Sequence, residues 1–158
     1  MKYTRKITRD IQKITRTSNI TDNGDKTMYK FRVHHIMCTN LYQGYGYSGA
    51  FCENMTRMVQ WLNNNPNEPL MLTTNADDIC ASCPNLVDNK YCEDENNHVH
   101  LKDSELLLAL QLEEGMAYTY SYLKSQAKIF LSEEIFEKSC SNCKWYKQGL
   151  CRYEDFKF

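Results

Sequence analysis

The chain has 158 residues, 8 of them cysteine, and its 19 basic and 20 acidic side chains leave a net charge of −1. Hydrophobic residues are 42% and charged residues 25%, which excludes bulk disorder, collagen-like repeats and a coiled coil as descriptions of the whole chain. A chain of this length buries a core without covalent staples, so the cysteines ask for a chemical explanation.

Residues 1–27 hold seven basic and three acidic groups, net +4, and the remainder carries −5. An acidic body argues against nucleic acid as the main partner. Ile7, Ile11 and Ile14 of the basic segment fall at helical spacing, so it can touch RNA or a membrane surface as a short amphipathic helix. The blander reading is a frayed extension, with Met28 as an alternative start. The N-terminus has no apolar stretch of the secretory kind, and the longest apolar run, residues 106–112, is too short for a bilayer. A cytoplasmic protein without a membrane span is expected, with its thiols kept reduced.

Residues 31–38 (FRVHHIMC) predict a strand with Phe31, Val33, His35 and Met37 on one face. A Gly/Tyr-rich turn follows. Ser48 then caps a helix to about residue 64, with Phe51, Met55, Met58 and Leu62 as its apolar stripe. Residues 70–74 predict a second strand. Asp77 and Asp78 read as N-caps of the turn that opens a cysteine cluster. Asp103 predicts the cap of a second helix running to residue 112 and ended by Gly115. A third helix is expected over 116–130, and Ser132 starts a short fourth. The expectation is an α+β fold, helix-rich, in one domain over residues 28–158. A small sheet (31–38 with 70–74) packs on three or four helices, with two Cys-x-x-Cys…Cys loops at its edge.

Six cysteines form two similar triplets, Cys80-x2-Cys83-x8-Cys92 and Cys140-x2-Cys143-x7-Cys151. Two thiolates leaving one turn grip one metal, and a third arrives from a nearby loop; zinc and iron–sulfur clusters both use such units. Each triplet lacks a fourth ligand. Cys38 is one candidate, and His34 and His35 beside it are also capable ligands. Cys52, next to the apolar Phe51, reads as a packed thiol. If their segment is extended, His98 and His100 share a face, though solvated loop histidines are the plainer reading. The 56 residues between Cys83 and Cys140 do not suit a simple zinc ribbon, and no tight ferredoxin run is present. Spacing alone leaves iron–sulfur and zinc open, with a thiol oxidoreductase behind them.

Two other patterns fail on physical grounds. Gly44, Gly46 and Gly49 make a literal G-x-G-x-x-G, but the first glycine stands away from the strand end and the strand is too polar for a central parallel position. A zinc deaminase needs H-x-E before P-C-x-x-C, and neither is present.

The residues resemble a known family. RVHHIMC at 32–38, GYGYS at 44–48 and FCENM at 51–55 match its N-terminal signature; DDICASCP at 77–84 with Cys92 matches its central motif; Cys140, Cys143, Trp145, Gly149 and Cys151 match its C-terminal one. This is domain-of-unknown-function family 1284, small bacterial and archaeal proteins, and the resemblance covers residues 28–158. It implies iron–sulfur binding, with ligands carried over to Cys38, Cys80, Cys83, Cys92, Cys140, Cys143 and Cys151. Cys52 matches no family cysteine. The resulting expectation is one or two clusters of the 4Fe–4S type. Cys38 would complete the first triplet, and the second would hold another cluster or zinc with a histidine or exogenous ligand. Electron transfer to an unidentified redox protein is the leading role. The alternatives are a zinc-stabilised binding module and an enzyme that binds a small-molecule substrate at an open iron.

Overall fold

A computed structural model describes residues 28–93 and 98–156. The basic segment 1–27 lies outside the described residues. The element order among the described residues is β1 (Tyr29–Arg32), α1 (His35–Leu41), α2 (Gly49–Asn64), β2 (Pro69–Thr73), β3 (Leu86–Val87), β4 (Tyr91–Cys92), α3 (His98–Ala109), β5 (Ala117–Thr119), α4 (Tyr120–Phe130), α5 (Glu133–Cys140) and α6 (Lys144–Lys147). This is a small α+β fold. Sheet order is β1-β2-β5, with β1 parallel to β2 and β5 antiparallel to it; β3 and β4 form a separate hairpin.

β2 alternates as its sequence requires. Leu70 and Leu72 are fully buried, and Phe31 of β1 stands opposite Leu72. The α2 stripe is as expected: Phe51, Met55, Met58 and Leu62 are buried. The Ser48 hydroxyl accepts the Phe51 N–H at 3.1 Å and satisfies one of the orphan donors of the first turn. Ser132 caps α5 in the same way, through Ile135 N–H.

Three expected elements differ. The strand predicted over 31–38 stops at Arg32, and residues 35–41 are helix. Val33 N–H still reaches Thr73 O, but His34 N–H turns to the Asp103 carboxylate, so the ladder ends there. His35, Ile36 and Met37 are all buried, which a two-residue period does not allow. α3 begins at His98, not at Asp103, and ends at Ala109, with Gln111 in the left-handed region. Asp103 lies inside that helix, wholly buried. The third correction concerns residues 117–119, which form β5. Gly115, at φ +77°, swings the chain onto the β2 edge, where Gly115 N–H donates to Leu72 O and Leu72 N–H donates to Met116 O. Thr119 then caps α4.

Candidate metal centre

The two Cys-x-x-Cys units adopt the same turn. Cys83 N–H donates to Cys80 O at 2.9 Å, and Cys143 N–H donates to Cys140 O at 2.8 Å. The first turn is set by Asp77, whose Oδ1 accepts the N–H groups of Ile79 and Cys80, both at 2.9 Å. The capping role expected of Asp77 is therefore present. Cys92 returns on β4, opposite Leu86. The second turn joins the end of α5 to α6, and the chain then brings Cys151 back below it.

All eight cysteines are free thiols. Seven of them line two adjoining cavities. The larger, about 700 Å³, is walled by Cys38, Cys80, Cys83, Cys92 and Cys143. The smaller, about 40 Å³ and mostly apolar, is walled by Cys38, Cys140, Cys143 and Cys151. Cys52 is on neither wall. Its sulfur packs under the glycine turn, where a Cβ on Gly46 would lie 2.5 Å from it and 2.6 Å from the Phe51 ring. Close backbone approach, and not a phosphate, explains that glycine.

Cys38, on α1, lines both cavities, and the thiols that act on it electrostatically are those of the second triplet. It shares the wall of the small cavity with Met37, Leu41 and Phe136. Burial pushes its thiol pKa well up. Lys102 opposes that shift, while Cys143, Cys140 and Cys151 add to it. Burial also raises Cys140 to about 12 and Cys151 to about 11. Tyr47 and Trp145 pack beside this group with ring centroids 4.7 Å apart and planes tilted by 37°. The Tyr47 phenol is pushed up by burial and by thiols of both triplets, Cys143 and Cys38 on one side and Cys83 and Cys92 on the other. It stands between the two groups.

The first triplet faces a polar wall. Asp77 Oδ2 accepts from Arg32 N–H at 2.7 Å and from His35 Nδ1 at 2.6 Å. Asp103 Oδ2 takes Arg32 Nε at 2.5 Å, and its Oδ1 takes His34 N–H at 2.9 Å and His34 Nδ1 at 2.7 Å. A carboxylate can only accept, so each ring carries a proton on Nδ1, which leaves Nε2 as the atom turned to other partners. Burial drives the His34 pKa down to about 3 against the pull of Asp103, leaving a neutral ring. Burial alone would raise Asp103, but His34 and Arg32 hold it at about 2. Cys80 is raised to about 12 by burial, with Asp77 adding to it. A histidine hydrogen-bonded to a carboxylate through one nitrogen is the usual support of a metal-binding imidazole, and here the chain has two, both on the cavity wall.

His98 and His100 are not in an extended segment; both lie in α3, where His98 Nε2 meets Asn142 Nδ2 at 2.6 Å and His100 Nδ1 is 3.3 Å from Thr74 O. Arg32, Asp103 and Lys102 belong to the site, yet sequence reading assigned them no part in it. Their only linear signal is the pairing of a charged residue with an apolar segment at positions 32 and 103. Among the described residues, no helix is long and apolar enough to cross a membrane.

A family model described as protein of unknown function (DUF1284) matches residues 46–149. No curated protein and no solved structure matches the chain.

Proposed function

The chain belongs to the DUF1284 family, whose description names no activity, and we propose that it is an iron–sulfur protein with two centres that works in electron transfer. What supports this reading is the sorting of the thiols. Seven of the eight cysteines, drawn from segments far apart in sequence, line two adjoining cavities, and the eighth packs elsewhere. A packing account of the cysteines would not separate them this way.

The donor sets fit such groups. Cys38, Cys140, Cys143 and Cys151 supply four thiols to one centre, and Cys80, Cys83 and Cys92 supply three to the other. A cluster held there would carry one electron in and out. The protein's own contribution is to hold the thiols in hydrogen-bonded turns, to exclude water with Trp145 and Phe136, and to set the charge around each sulfur. With burial keeping the free thiols protonated, loading a metal releases protons, and the affinity rises with pH. A redox protein is the natural partner, and a cytoplasmic setting suits reduced thiols.

Zinc is the second reading. A ring nitrogen of His35 and the sulfur of Cys80 lie within 4.8 Å of each other and of an Asp77 oxygen, and zinc accepts mixed nitrogen and sulfur donors.

Anaerobic purification of the full chain decides between them. Iron and sulfide analysis, with a visible spectrum before and after dithionite, is expected to give bleachable absorbance with iron and sulfide in near-equal amounts. A colourless protein holding only zinc ends the iron–sulfur reading and leaves the zinc module.

A further inference from the structure

Three thiols leave the first centre one ligand short. Cys52 packs beneath Gly46, and Cys38, which lines both cavities, feels the charge of Cys143, Cys140 and Cys151 and serves the four-thiol centre in this reading. We infer that His35 is the fourth ligand of the metal held by Cys80, Cys83 and Cys92, binding through Nε2 to make a three-thiolate, one-imidazole centre. The inference rests on the metal-binding reading above and gives its three-thiol centre a defined ligand set.

Geometry selects this histidine. Its Nδ1 donates to Asp77 Oδ2 at 2.6 Å, which fixes the ring and leaves Nε2 as its donor atom. The same carboxylate sets the Cys80 turn, because Oδ1 accepts Ile79 N–H and Cys80 N–H. Imidazole and thiol are therefore held by one buried group, with a ring nitrogen within 4.8 Å of the Cys80 sulfur. Asp77 itself is not the ligand. Four donors, from Arg32, His35, Ile79 and Cys80, already fill its two oxygens, so turning it to a metal would strip several charge-assisted bonds. His34 is anchored elsewhere, on Asp103 in α3, and has no bond to the Cys80 turn. Three thiolates with one imidazole is an accepted zinc set, and imidazole also ligates iron in some clusters, where it raises the potential.

X-ray absorption at the edge of whichever metal the full chain holds reads the ligand set directly. Wild-type protein is expected to show outer-shell imidazole scattering from one histidine among sulfur ligands. His35→Cys is expected to keep its metal content and turn the set all-sulfur, with its helical circular dichroism unchanged. His34→Gln is expected to keep the imidazole signal, which serves as the control should His35→Cys fold poorly. An all-sulfur wild type, an imidazole signal that survives in His35→Cys, or one lost in His34→Gln overturns the assignment while leaving metal binding intact. A wild-type protein without metal overturns the metal-binding reading and the assignment with it.

Discussion

The two walls around the thiols differ in how they handle charge. Beside Cys80 the chain has spent a buried arginine, two buried carboxylates and two imidazoles, all tied to one another. Beside Cys140 the surroundings are Met37, Leu41, Phe136 and Trp145, and the cation that acts on its thiol is Lys102. Arg32 is already neutralised by Asp103 at 2.5 Å, whereas Lys102 has no carboxylate partner within ion-pair distance among the described residues. Lys102 lines the larger cavity and also acts on Cys38 and Cys140, so the thiols of the apolar wall meet an unpaired cation, while the buried groups of the polar wall, Arg32 with Asp77 and Asp103, carry a net negative charge among themselves. Since charge and hydrogen bonds around sulfur set cluster potentials, similar cysteine spacings here serve two unlike electrostatic environments.

The comparison breaks first at Asp103. Asp103→Ala leaves Arg32 buried and unpaired, which costs about 3–5 kcal/mol. Urea denaturation is expected to show that loss, while R32M combined with D103L costs clearly less than D103A alone. If the double variant is the worse one, the polar wall is not held by this pair. The apolar wall is tested by Cys38→Ser. It is expected to remove the metal of the Cys140 centre and leave that of the Cys80 centre, so total metal falls by about half as measured by elemental analysis. Retention of full metal would return Cys38 to the role of packed thiol.

Acid sharpens the contrast, because only the polar wall carries a buried imidazole that burial keeps neutral. His34 has an ordinary value of 6.5 and a folded value of about 3. In that window the unfolded chain binds the extra proton, so stability is whole above pH 6.5 and is lost as pH falls toward 3. The slope approaches about 1.4 kcal/mol per pH unit for one proton. Asp103, at about 2 against 3.8, loses its contribution only below 3.8. Denaturation of metal-free protein between pH 7 and 4.5 is expected to be steeper for wild type than for His34→Gln; equal slopes would remove His34 as the cause. The smallest effect falls on Lys102. Lys102→Met is expected to lower the reduction potential of the Cys140 centre more than that of the Cys80 centre, because Lys102 acts on Cys38 and Cys140 while lining the larger cavity, in a redox titration followed by EPR.

Local signals were legible in the sequence and distant ones were not. The Ser48 cap and the Phe51–Leu62 stripe declare α2, because every interaction that defines them lies within a few residues. The same holds for Ser132 and α5, and for the two Cys-x-x-Cys turns. α1 was misread because Phe31, Val33, His35 and Met37 mimic a two-residue period that the burial of Ile36 contradicts. Asp103 looked like a cap of its own helix. Its true partners, Arg32 and His34, lie 71 and 69 residues away, and linear spacing carries no trace of them. β5 spans three residues, Ala117–Thr119, too few to show a period. Where the Cys38 thiol lies depends on α1, so a strand over 31–38 does not disclose that Cys38 lines both cavities.

Gln43 Nε2 donates to Leu150 O across 107 residues, tying the loop after α1 to the strand of chain that carries Cys151. On the ribosome, Cys38 emerges long before these partners are made. The Cys38 thiol thus waits through most of synthesis for Cys140, Cys143 and Cys151, which arrive with the last turns. If the apolar wall holds a metal, that distance couples its loading to folding order: such a centre could fill only after synthesis has passed residue 151, whereas Cys80, Cys83 and Cys92 can gather much earlier.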